Sequence, residues 1–165
     1  MQISSESIMK IHLVNTGRTS EKYVMEGIER YKKRILNYMP VVITDIPEIK
    51  SSKGMSFDKQ KELEGQSILK QIDKLDHVIV LDEKGLEFSS DEFAMHLQNL
   101  MSRGIKNLGF ITGGPFGFSK IVYDSAQERI SLSRMTFPHQ LVRLIFIEQL
   151  YRALTILNNE PYHHA

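Results

Sequence analysis

An α/β fold with a mostly parallel sheet flanked by helices is predicted by three observations. Short runs rich in β-branched and aliphatic residues alternate along the chain with segments whose apolar residues recur at helical spacing. The most strand-like runs end abruptly, at Leu81-Asp82 and at Ile111-Thr112-Gly113-Gly114, as strands do where an α/β sheet opens toward a ligand. A length of 165 residues with 41% hydrophobic and 25% charged residues suits one domain with a sizeable core.

Residues 1–8 are polar and mixed, without the basic and apolar regions of a signal peptide, and read as a poorly ordered extension. The folded domain is expected over residues 9–165. Lys10 to Val14 forms the first strand, closed by Asn15-Thr16-Gly17. Ser20 is expected to cap a helix carrying Glu21 in its first turn and Val24, Ile28, Tyr31 and Ile35 on one face, with Pro40 as its stop. Val41 to Ile46 is a second strand, followed by Pro47 and a polar, mobile stretch around Ser51-Ser52-Lys53-Gly54. Phe57 to Ile72 returns to helical spacing, and His77 to Leu81 is the most strand-like segment, with Asp82 marking its end and a turn expected beyond.

Ser89 and Glu92 have the spacing of a capping box and open a helix through Phe93, Leu97 and Leu100. Leu108 to Ile111 forms a strand, 118–127 a short helix and Arg129 to Leu132 a short strand. Pro138 stands at the start of a last helix that runs to about Asn158, and proline is tolerated there because its missing N–H lacks an intrahelical partner anyway.

Composition excludes several classes. Without cysteine there are no disulfides, thiolate metal sites or cysteine nucleophiles. No stretch reaches the length of a membrane span, so a cytoplasmic location is expected. A formal net charge of +1 means that any nucleic acid is met by a local patch and by shape, not by a broad cationic field. Neither a P-loop, nor a complete G-x-G-x-x-G, nor a nucleophile elbow, nor His-Glu-x-x-His occurs, and no metal is expected.

Phe110-Ile111-Thr112-Gly113-Gly114-Pro115-Phe116-Gly117 is the candidate ligand loop, because glycine reaches positive φ and lets a ligand lie against main-chain groups. By itself an isolated Gly-Gly-Pro is better read as a tight turn after a strand, so the ligand reading depends on the other loops. The last helix is apolar nearly all round, so it is expected to bury one side on the sheet and another on a second copy of the chain. Its charges need partners. Glu148 and Arg152, at i and i+4, read as an intrahelical ion pair. Arg143 has no evident local partner and suits either a substrate phosphate or an interface carboxylate. The chain ends Pro161-Tyr162-His163-His164-Ala165: tails are usually disordered, yet tyrosine can stack on a base and histidine titrates near neutrality.

The glycine loop, Ser133-Arg134-Met135-Thr136-Phe137-Pro138-His139, Leu141-Val142-Arg143, Glu148-Gln149-Leu150-Tyr151-Arg152-Ala153 and Pro161-Tyr162-His163, in this order, resemble the RlmH family. These are ribosomal large-subunit pseudouridine N3-methyltransferases of the SPOUT superfamily, and the resemblance covers the chain from Met9 to its end. It implies a SPOUT-type α/β fold with a deep C-terminal trefoil knot, S-adenosylmethionine as cofactor, a homodimer, and large-subunit rRNA in the assembled ribosome as substrate. It implies cofactor contacts from Leu81, Gly113, Gly114, Leu132, Ser133, Arg134, Met135, Thr136 and Phe137. The catalytic group would be His163 and Tyr162, closing over the target base, with Arg143 orienting it. Phe116 departs from the polar or acidic residue frequent in relatives, and His164-Ala165 from their basic ending. The rival expectations are a SPOUT enzyme acting on tRNA or another rRNA base, a non-catalytic RNA-binding module, and an unrelated small-molecule enzyme.

Overall fold

A computed structural model describes residues 8–50 and 53–164, the side chains of residues 163 and 164 excepted. The extension ahead of Ile8, and Ser51 and Ser52 of the expected mobile stretch, lie outside the described residues.

Strands β1 (Lys10–Thr16), β2 (Val41–Ile46), β3 (His77–Glu87), β4 (Asn107–Thr112) and β5 (Glu128–Ser131) alternate with helices α1 (Lys22–Ile35), α2 (Phe57–Ile72), α3 (Ser90–Ser102), α4 (Lys120–Ser125) and α5 (His139–Leu157). The strands form one sheet in the order β2-β1-β4-β3-β5, and each neighbouring pair is parallel. A parallel sheet is covered on both faces, which is why its strands are apolar almost continuously. Ile11, Leu13, Ile79, Leu108, Phe110 and Ile130 face α1, α3 and α5; Val14, Val78, Val80 and Ile111 face α2 and α4. Phe110 and Phe146 of α5 meet at 4.6 Å at the centre of the first layer.

Local sequence sets most element ends. Ser89 accepts from Glu92 N while the Glu92 carboxylate accepts from Ser89 N, so the expected capping box is formed. Ser89→Ala is expected to lower stability by about 1 kcal/mol, read from the urea midpoint at constant m-value. Ser56 caps α2 by accepting from Lys59 N.

Several boundaries differ from the sequence reading. Ser20 does not cap α1: the N-cap is Glu21, whose side chain makes no capping bond. Instead Gln140, on α5, accepts from the backbone N–H groups of Ser20 and Glu21 and donates to Ser20 Oγ. A side chain distant in sequence thus does the work of a cap. Helix α1 ends at Ile35, before Pro40, through a turn in which Tyr38 N and Met39 N donate to Ile35 O. Strand β3 does not turn after Leu81; it shifts register between Leu81 and Leu86 and then pairs Leu86 and Glu87 with Ile130 and Ser131 of β5. The tail forms a 3-10 turn, η1 (Pro161–His164), rather than a disordered end.

Candidate cofactor cleft at the strand ends

The bulged middle of β3 and the loops that follow β4 and β5 converge on one cleft of about 800 Å³. Leu81, Gly113, Gly114, Leu132, Ser133, Met135, Thr136 and Phe137 line it, eight of the nine residues expected to hold a cofactor. Arg134 does not: its side chain is 89% exposed and points to Glu87, 3.5 Å away. The structure adds Lys61, Asp82, Lys84, Tyr123 and His139 to the lining. Asp82 had a signal in the sequence as the residue closing an apolar run. Lys61 and Tyr123 had none, since each lies on a helix whose placement depends on the sheet order.

The glycines of the candidate loop serve unequally. Only Gly117 has a positive φ, of 75°, and it closes a turn in which its N–H donates to Gly114 O at 3.2 Å across Pro115-Phe116. Gly113 and Gly114 do not need the left-handed region, which corrects the reason given for them. An added Cβ on Gly113 would press on the Phe118 ring at 3.3 Å, whereas on Gly114 it would meet only ordinary contacts with Thr16 and Glu64. Both present bare backbone to the cleft.

The far wall is a fixed polar group. Tyr123 OH donates to Asp82 in a short hydrogen bond, and the Arg129 guanidinium lies 4.0 Å over the Tyr123 ring. Burial, then the bond to Asp82 and its negative charge, push the Tyr123 phenol up to about 12, against the opposing pull of Arg129. Because this folded-state value is above the unfolded one, near 10, the contribution is fully present below pH about 10 and is lost as pH rises through about 12. Tyr123→Phe is therefore expected to flatten the fall in thermal midpoint across that window and to remove one late-titrating group from the phenolate absorbance curve.

Loop 132–137 is held at both ends. Ser131 Oγ donates to Ser133 O and Met135 N to Ser133 Oγ, while Thr136 Oγ1 reaches Glu83 at 3.3 Å. The bulged arm of β3 and this loop are thereby linked, and both border the cleft.

Arg143 has partners within its own chain, contrary to expectation. It is 0% exposed, and its two terminal nitrogens donate to Thr19 Oγ1 and Thr16 O, each at 2.7 Å. Its Nε has no hydrogen-bond partner among the described residues. Thr16 Oγ1 donates to Thr112 O, Thr112 Oγ1 to Asn15, and Asp45 accepts from both Asn15 and Thr19 N. Burial pulls the guanidinium below the usual arginine range, opposed by Asp45 and Glu48. Arg143 does not line the cleft; it ties the end of β1 to α5 and, through Thr112, to the strand that carries the glycine loop.

Tyr162 is also placed away from the cleft lining. Its OH donates to Glu148 at 3.0 Å and approaches Tyr31 OH at 3.5 Å, and its ring meets Tyr151 at 4.7 Å. Burial and these two hydrogen bonds raise its phenol well above the usual tyrosine range. The Glu148–Arg152 pair forms as the spacing predicts, at 2.6 Å, and Arg152 also lies over the Tyr162 ring. The side chain of His163 lies outside the described residues. Among the described residues no group of histidines and carboxylates has metal-binding geometry, and no helix is long and apolar enough to cross a membrane.

An all-parallel α/β sheet with a glycine-walled cleft beside β3, β4 and β5 is the frame of an α/β enzyme, and residues 9–163 match the family described as "Predicted SPOUT methyltransferase"; the chain belongs to that family. Among curated relatives it is similar to the "Ribosomal RNA large subunit methyltransferase H" of Parabacteroides distasonis, 53% identical over 156 residues that cover 94% of this chain and 99% of the relative. The protein of the same name from Flavobacterium johnsoniae is 49% identical over the same shares. A solved probable methyltransferase from Bordetella pertussis Tohama I superposes with a TM-score of 0.56 over 88% of this chain and 96% of its own, at 9% identity, a likeness of fold alone.

Proposed function

We propose that this protein transfers a methyl group from S-adenosylmethionine to N3 of a pseudouridine in large-subunit rRNA, as a cytoplasmic homodimer acting on the assembled ribosome. The observation that carries the reading is the assembly of eight of the expected cofactor residues around one cleft, in a chain whose relatives at about half identity bear the rRNA methyltransferase name. The domain is taken to span residues 9–165, with residues 1–8 as an extension, and the family's trefoil knot belongs to the same reading.

The cleft suits this cofactor. It offers Leu81, Leu132 and Phe137 as apolar walls that would receive an adenine, bare backbone at Gly113-Gly114 for its polar edge, and the Asp82 carboxylate as a negative charge that would favour a positively charged donor. It lacks the Gly-Lys-Ser/Thr phosphate motif of a P-loop. Bound S-adenosylmethionine supplies an activated methyl on a sulfonium. Gly113 and Gly114 would hold the donor, and Ser131, Ser133 and Thr136 keep loop 132–137 in place beside it. N3 of a pseudouridine carries a proton that has to leave as nitrogen approaches the methyl in line. His163 is assigned to manage that proton and Tyr162 to cover the base.

Within one chain Tyr162 is engaged by Glu148, Tyr31 and Tyr151 and does not line the cleft, so the tail is assigned to the cleft of a second copy. Leu141 and Ile145 of α5, each half-buried within one chain, are assigned to an apolar contact with that copy. Arg143 is assigned as a positioning residue acting through Thr16 and Thr112, not by touching the substrate.

Ribosomes from cells lacking this protein, incubated with the pure protein and labelled S-adenosylmethionine, are expected to gain N3-methylpseudouridine, detected by nucleoside mass spectrometry. Label appearing in tRNA alone, or no label despite cofactor binding, would overturn the assignment.

A further inference from the structure

The entrance of the cleft carries an aromatic pair that the cofactor reading does not use. Phe57 opens α2 directly after its Ser56 cap, and its side chain is 66% exposed. Its ring lies 4.6 Å from the Phe116 ring with the two planes tilted by 30°. Phe116 is half-buried, lines the cleft, and sits in the turn closed by the Gly117–Gly114 hydrogen bond, so its position is fixed by backbone geometry. Phe57 does not line the cleft. What sets Phe57 apart from the other exposed apolar side chains is that its ring is paired with an aromatic ring of the cleft wall.

Nearby charges narrow what covers it. Lys61, one helical turn beyond Phe57 and so on the same side of α2, lines the cleft. Lys59 is paired with Glu62 at 3.4 Å, and Asp58 adds a further negative charge next to the ring. The patch is therefore not a broad cationic surface that would hold a phosphate backbone by charge. It offers a stacking face with one ammonium group a turn away, which matches an unpaired nucleobase with its own phosphate.

We propose that Phe57, backed by Phe116, is a stacking platform for an unpaired nucleobase of the rRNA substrate adjacent to the base being methylated, with Lys61 meeting the accompanying phosphate. This rests on the rRNA methyltransferase reading and adds a substrate subsite to it. Stacking on the exposed ring places the neighbouring nucleotide over the glycine loop and leaves the cleft to the donor and the target base.

The test compares methyl transfer to ribosomal particles by wild type, F57A, F57L and F57Y, each checked for an unchanged thermal midpoint. F57A and F57L are expected to raise KM for the particles about tenfold, the effect of losing one stacked base, and F57Y to restore it. The kcat and the affinity for S-adenosylmethionine, measured by equilibrium dialysis, are expected to stay at the wild-type values. An unchanged KM, or F57L behaving as wild type, overturns the platform. Weakened cofactor binding in F57A overturns it in favour of a lid over the donor.

If the wild-type protein transfers no methyl to rRNA, the enzymatic reading has failed and the platform is judged separately. The chain has no tryptophan, so F57W carries a single reporter. Quenching of its emission by a short unstructured oligoribonucleotide supports base stacking, and unaltered emission at saturating oligonucleotide overturns it.

Discussion

Arg143→Ala is expected to lower stability by about 3–4 kcal/mol, and the thermal midpoint by about 10 °C, making it among the most damaging single changes in this chain. The arginine stem fills space between β1 and α5, and truncation leaves a cavity. Removal of the guanidinium also leaves Thr16 O, buried at the end of β1, without its donor, and leaves Asp45 and Glu48 without the cation that faces them. Arg143→Met separates these contributions, since it keeps much of the packing volume and loses every donor. It is expected to fall between wild type and alanine. Arg143→Lys supplies one ammonium group where two terminal nitrogens reach two acceptors, and is expected to recover only part of the loss. Urea denaturation of the three variants gives the ordering. If Arg143→Ala keeps wild-type stability and loses only methyl transfer, the arginine contacts substrate directly and its positioning role is wrong.

Gly85→Ala is expected to abolish cofactor binding while lowering stability by about 2–3 kcal/mol. Gly85 lies in the bulged arm of β3, and an added Cβ would come within 2.6 Å of the Arg129 carbonyl carbon and 2.7 Å of the Ile130 backbone. These are main-chain atoms of β5, so no side-chain rotation relieves the clash. Either the arm or β5 has to move, and both border the cleft through Asp82 to Lys84 and Leu132 to Phe137. Isothermal titration with S-adenosylmethionine should show at least a hundredfold weaker binding, with the far-ultraviolet dichroism kept. Gly104→Ala is the control: that glycine has a φ of 78° but nothing within 4 Å of its Cβ position, so it is strained locally and remote from the cleft lining. Wild-type affinity in Gly85→Ala would mean that the β3 arm is not a wall of the donor site.

Much of the fold was legible because periodicity and capping are properties of contiguous residues. Ser89 caps its helix through the backbone N–H three residues on, and Glu148 finds Arg152 one turn away. All five strands stand where alternating or continuous apolar runs put them, and the parallel sheet follows from their alternation with helices. What failed was decided across the fold. Ser20 is a good capping residue by type, yet Gln140 takes the N–H groups at the start of α1. Leu81-Asp82 looks like a strand end, but β5 offers a second set of pairing partners after a bulge and β3 continues to Glu87. The glycine loop was recognised for backbone freedom, and only Gly117 uses it; Gly113 and Gly114 matter as bare backbone facing a cleft.

The sequence by itself located the elements, the loops after β4 and β5 that border the cleft and, through motifs in serial order, the family. Tertiary structure alone decided which charged and aromatic groups those loops meet. Arg143 bonds to Thr19 and Thr16, 124 and 127 residues away; Tyr123 reaches Asp82 across 41 residues; and Phe57 pairs with Phe116 from another layer of the fold. Propensity and periodicity act over a turn or a strand, whereas a buried cation or an uncovered ring takes its meaning from neighbours that only the order β2-β1-β4-β3-β5 brings together.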